Sequence, residues 1–148
     1  MDYDVIYEKF LVLCGYDYAE LPQTDEMRYR LIQNGVDMYN QRVKKHGQRF
    51  QGNIMCDDDT ETIDTKLTST ELDILAYCMC KIVATTKYVE FTSLYGVVAS
   101  EMGLKDYKAQ CTGREYTINY FSQQIDKHIE DEIDSFTLGG WYEKFWWI

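Results

Sequence analysis

The sequence predicts an all-α fold: a small helical bundle with a long C-terminal helix, an irregular or short β-hairpin excursion around residues 48–67, and an aromatic C-terminal tail. Three observations predict it. Pro22 is the one proline in 148 residues, which leaves long stretches free to be helical. Apolar residues recur at steps of three and four through most of the chain. Thr68-Ser69-Thr70-Glu71 is a capping box, with Thr68 as cap and Glu71 reaching back, directly ahead of the strongest such run. A chain of this length is expected to form one domain, here residues 1–138, followed by an aromatic tail, 139–148.

The first helix is expected over Tyr3 to Cys14, where Val5, Ile6, Phe10 and Leu13 fit one face. Gly15 stands where a helix stop belongs, and the link to Gln23 holds the proline. A second helix begins after Thr24, whose hydroxyl caps free N–H groups while Asp25 and Glu26 complement the dipole. Met27, Leu31, Val36, Met38 and Tyr39 form its approximate stripe. Arg42, Lys44, Lys45 and His46 crowd its last turn, where cations are favoured, and Gly47 ends it.

From Gln48 to Leu67 the period is lost, and the stretch is too long for a simple connection. It reads as two short strands around a loop at the acidic run Asp57-Asp58-Asp59-Thr60-Glu61. After the capping box, Leu72, Leu75, Ala76, Met79, Ile82, Val83 and Thr86 carry a helix towards Tyr95. Gly96 and Gly103 bracket a short apolar piece, Val97-Val98-Ala99. The last helix is expected from near Asp106 to near Phe136, about 28 residues and roughly 42 Å, on the line Ile118, Phe121, Ile125, Ile129, Ile133, Phe136. Gly113 inside it costs about 1 kcal/mol against alanine, and close packing against another helix is the expected compensation. Leu138-Gly139-Gly140 is read as a break before Trp141-Tyr142-Glu143-Lys144-Phe145-Trp146-Trp147-Ile148.

The formal net charge is −10, against a nucleic-acid-binding surface and against adhesion to anionic membranes. It suits a surface past which DNA slides without sticking. No segment reaches the ~20 apolar residues of a membrane span. Asp2, Asp4 and Glu8 interrupt the first apolar run, so no signal peptide is expected. Five irregularly spaced cysteines fit a reduced, cytoplasmic setting.

Candidate chemistry is sparse. Cys78 and Cys80 lie two apart on a helix, about 200° around it, and cannot easily share one zinc ion. Two small packed side chains are the expected reading. Asp57, Asp59 and Glu61 have calcium-loop spacing, but Thr62 stands where the turn glycine belongs and Thr68 where the bidentate glutamate belongs. A solvated acidic loop is expected. His46 suits a helix-end role and His128 a packed flank of the last helix. Neither G-x-S-x-G nor a P-loop occurs. No enzyme, metal or cofactor is expected. The tail stands out, since all three tryptophans fall in its last eight residues. Leaving that surface in water costs about 25 cal/mol per Å². Either the tail folds over its own helices, or it docks into another subunit.

One resemblance is visible. The helix start LTSTELDILAYCM after a long excursion, the turn MGLKDYKAQ, and the long amphipathic helix with its acidic end together resemble the neck proteins of tailed bacteriophages, the head–tail connector or head-completion adaptor family. That resemblance implies a helical bundle forming a homo-oligomeric, dodecameric ring in the virion neck, made in the host bacterial cytoplasm. Its implied partners are the portal protein and neighbouring neck or tail-completion proteins, with DNA passing through unbound. Trp141, Tyr142, Phe145, Trp146, Trp147 and Ile148 would be the portal-docking segment. The loop with Asp57, Asp58, Asp59 and Glu61 would face a neighbouring subunit or the next ring. A rival class is an acidic regulatory or inhibitory protein that binds a single protein partner. The interleaving of 15 basic with 25 acidic residues weakens that rival.

Overall fold

A computed structural model describes residues 1–96 and 103–145, with side chains described except at Gln48 and 136–145. Among the described residues the chain is mostly helical. Four α-helices run α1 (Tyr3–Cys14), α2 (Asp25–Val43), α3 (Ser69–Tyr95) and α4 (Leu104–Phe145). A short antiparallel hairpin, β1 (Cys56–Asp57) with β2 (Thr62–Ile63), interrupts them, in the register Cys56 to Ile63 and Asp57 to Thr62. The expected all-α bundle with a β excursion is the observed fold.

Local chemistry explains the helix ends. Gly15 closes α1 in the left-handed conformation at φ 69°, which glycine adopts without steric cost. Thr24 Oγ1 accepts from the N–H of Met27, and the Thr68–Glu71 box forms reciprocally. α2 ends at Val43 and tightens into a 3-10 turn, Lys44–Arg49, bent at Gly47. Among its terminal cations, Arg42 also reaches across to Asp126 of α4 at 3.1 Å.

α3 is the centre of the bundle. Ile74, Leu75, Ala76, Cys78, Met79, Cys80, Val83 and Ala84 are all buried, so this helix is covered nearly all round. α1 supplies Tyr3, Ile6, Phe10 and Cys14, while Val5 faces outward. α2 supplies Leu31, Ile32, Val36, Tyr39 and Val43, and Met27 is exposed. From α4 come Phe121, Ile125 and Ile129, flanked by half-buried Ile118 and Ile133.

Two expectations are corrected. Gly113 is not a close-packing glycine, because a Cβ there would meet nothing within 4 Å. The close approach is at Gly35, where a Cβ would lie 2.5 Å from Cγ of Met79. Leu138-Gly139-Gly140 does not end the last helix, which continues to Phe145. Its hydrogen-bond ladder carries both glycines, whose cost of about 1 kcal/mol each weakens a helix without breaking it. Val97-Val98-Ala99 lies outside the described residues.

Candidate functional site

The acidic loop is built from β1, a four-residue turn and β2. Asp57 holds the turn, its Oδ1 accepting from the N–H of Asp59 at 3.0 Å and of Thr60 at 3.3 Å. Glu61 takes the left-handed φ of 54°, the geometry that often closes such a turn, though usually with glycine. The loop is tied to the bundle by its own carboxylates. Asp58 accepts from Tyr3 Oη at 2.6 Å and from Gln33 Nε2 at 2.5 Å, and Glu61 accepts from Tyr29 Oη. Backbone bonds add to this: Tyr3 N donates to Glu61 O at 2.8 Å and Ile63 N to Met1 O at 2.9 Å.

These contacts set the electrostatics. Burial, then the bond to Asp58, pushes the Tyr3 hydroxyl well above its usual range. Tyr29 is pushed up to about 12 by its bond to Glu61. Asp64 is held low by the N–H of Met55 and the hydroxyl of Thr65. A hollow of about 540 Å³ beside the hairpin is lined by Gln33, Met55, Asp57, Asp58, Asp59 and Asp64 among others. Among the described residues, no group of three or more His, Cys, Asp or Glu is placed to hold a metal ion. Through their bonds to Tyr3, Gln33 and Tyr29, Asp58 and Glu61 anchor the hairpin to α1 and α2, whereas Asp59 remains on the exposed tip.

The excursion is pinned at its other end by two polar side chains. Asn40 acts like a strand edge, its Oδ1 accepting from Ile54 N at 3.0 Å and its Nδ2 donating to Ile54 O at 3.1 Å. Glu71 is a buried carboxylate with three donors: Thr68 N at 3.0 Å, Gln51 N at 2.5 Å and Tyr39 Oη at 3.3 Å. The capping-box signal located Glu71 but gave no sign of its long-range partners.

Cys78 and Cys80 pack in the core, and burial pushes the Cys78 thiol up to about 12 and that of Cys80 higher still. Such thiols are poor nucleophiles and metal ligands. His128 packs its ring 5.2 Å from Tyr77, with Nδ1 2.8 Å from Gln124 O. His46 lies edge-on to Phe50.

The reach of α4 is the remaining feature. α3 and α4 run antiparallel, with Phe91 stacked on Tyr107, Tyr88 Oη bonded to Glu115 at 2.8 Å, and Tyr77 beside Phe121 and His128. That register brings the start of α3 level with the turn around Ile133. The helix then continues to Phe145, past the start of α3 by roughly 18 Å at 1.5 Å per residue. Trp141, Tyr142 and Phe145 fall within this continuation of the helix. Trp146, Trp147 and Ile148 lie outside the described residues. No helix of the described residues is long and apolar enough to cross a membrane.

A family profile described as YomZ prophage protein matches residues 1–134. Those residues hold the hairpin, the Asn40 and Glu71 anchors, and the buried part of α4. The chain is also similar to the "SPbeta prophage-derived uncharacterized protein YomZ" of Bacillus subtilis (strain 168), 26% identical over 127 residues that cover 86% of this chain and 92% of the relative. No solved structure matches the chain. Phage origin is shared with the resemblance drawn from the sequence. With a match running from residue 1 to residue 134, the chain belongs to the YomZ prophage protein family.

Proposed function

We propose that this prophage protein is a structural component of the virion: a homo-oligomeric adaptor ring in the neck, between portal and tail, through which DNA leaves the head. The observation that carries the reading is the reach of α4, which continues beyond its antiparallel neighbour bearing Trp141, Tyr142 and Phe145. Aromatic side chains are favoured anchors in protein interfaces. Residues already held in a helical backbone pay less ordering cost on docking than an unfolded tail. Trp146, Trp147 and Ile148 extend the same portal-docking segment. The net charge of −10 supports a channel wall that repels DNA phosphate.

The test compares the full chain with one ending at Ser135, which retains Phe121, Ile125 and Ile129. Size exclusion with light scattering, with and without the portal ring of the same prophage, reads the outcome. The full chain is expected to join the portal, and the shortened chain to stay apart while keeping its helical circular dichroism. If the full chain ignores the portal, the neck assignment is wrong.

A further inference from the structure

We infer that a hollow between α3 and α4, lined by Lys87 and Arg114, receives the acidic outer face of α4 from a second copy of this chain. The inference rests on the ring reading above and supplies its subunit contact. The hollow has a volume of about 310 Å³ and is lined by Tyr16, Lys87, Gln110, Gly113, Arg114 and Thr117 among others. Both cations are half-buried, each held over an aromatic ring: Lys87 Nζ lies 5.2 Å from the centre of Tyr16, and the Arg114 guanidinium 4.3 Å from that of Phe91. Among the described residues, no carboxylate forms an ion pair with either. Ring faces attract a cation but do not neutralise it. Two half-buried positive charges thus line one hollow in a chain of net charge −10, with Glu20 and Glu90 bordering Lys87 on its other side.

The complementary patch lies on the same helix. Glu130, Asp131 and Asp134 are exposed and fall on the side of α4 away from Ile125 and Ile129. None has an ion-pair partner among the described residues, although Lys127 lies one turn away. Glu130 and Asp134 are four apart and Asp131 and Asp134 three apart, spacings at which like charges repel. A cation from outside relieves that repulsion. Arg114 and Glu130 are separated by roughly 24 Å of one helix, so the two patches cannot meet within a chain. Two different patches on one surface make a head-to-tail contact, the type that forms a ring when its rotation closes. Arg114 suits the role, since its planar fork accepts a carboxylate bidentately.

Sedimentation of the full chain, alone and with the portal ring, tests this with two variants. One carries Lys87→Glu and Arg114→Glu, the other Glu130→Lys, Asp131→Lys and Asp134→Lys. The second changes exposed side chains only, so it reports even if the first folds poorly. Each variant alone is expected to lose self-association by at least about tenfold. Mixed, the two present opposite charges at every contact and are expected to co-assemble. If the wild-type chain never self-associates, with or without portal, the ring reading fails and this inference with it. If the wild type assembles and the second variant assembles equally well, the contact is overturned while the ring reading stands. Two variants that keep their helical circular dichroism yet stay inert both alone and mixed also overturn it.

Discussion

At the scale of single residues, the polar anchors of the excursion carry the sharpest consequences. Glu71 is buried with three donors converging on it, from α2, from the excursion and from its own helix cap. Removing it strands the buried Tyr39 hydroxyl and takes the acceptor from the part-buried N–H groups of Gln51 and Thr68. Glu71→Ala is expected to lower stability by about 2–4 kcal/mol. Glu71→Gln, which keeps one carbonyl acceptor, is expected to cost less. Urea unfolding with an unchanged slope measures both, and a loss under about 1 kcal/mol for the alanine variant contradicts the anchoring role. The tyrosines of the same network set an alkaline limit. Burial and neighbouring carboxylates raise the hydroxyl pKa of Tyr3 and Tyr39 above the ordinary 10.0. The folded state therefore holds its phenolic protons more tightly than the unfolded chain. This stability is complete below pH 10.0 and is lost progressively as the pH climbs above it. Loss of far-ultraviolet dichroism is expected to coincide with the ionisation of Tyr3 and Tyr39. Full tyrosinate absorbance with the helices still intact contradicts the assignment.

At the scale of elements, legibility followed how local the determining interactions are. The bounds of α1, the Thr24 cap and the Thr68–Glu71 box were readable because each depends on residues within one turn. The hairpin position was readable from the loss of period and the acidic turn. Its anchors were not, since Tyr3 with Asp58 and Tyr29 with Glu61 are separated by 55 and 32 positions. The packing glycine shows the same limit. Gly113 looked special from its place in a long periodic helix, yet the structural demand falls on Gly35, against Met79. A pair of substitutions separates the two. Gly113→Ala is expected to stabilise α4 by about 0.5–1 kcal/mol, as helix propensity alone dictates. Gly35→Ala gains the same propensity but drives a methyl into Met79, and a net loss of about 1–3 kcal/mol is expected. Thermal unfolding of both variants reads the sign, and equal signs would refute the assignment. The continuation of α4 through Gly139-Gly140 escaped the sequence because two glycines lower helix preference without deciding it. For the candidate site, residue types were legible in the aromatic run, but the helical platform carrying its first members was not.

At the scale of the whole molecule, charge acts on folding and on the inferred assembly with opposite sign. The described ion pairs are mostly solvent-facing, and the pairs Arg28–Asp25 and Arg30–Glu26 lie within one helix. Lys9–Asp73 and Arg42–Asp126 join different helices at 2.9 Å and 3.1 Å. Against these stands a net charge of −10, whose self-repulsion grows as the chain compacts. Screening shortens from about 30 Å at 0.01 M salt to about 8 Å at 0.15 M. Distant repulsions fade over that range, while close, partly sheltered pairs persist. The melting temperature of the isolated chain is expected to rise by about 2–4 °C, the shift that about 1 kcal/mol produces at this size. The subunit contact behaves otherwise, because bringing Glu130, Asp131 and Asp134 to Lys87 and Arg114 depends on attraction that the same salt screens. Sedimentation across that range is expected to show assembly weakening as the fold strengthens. Assembly that strengthens with salt would point to an apolar contact, with the aromatic run from Trp141 onward as its source.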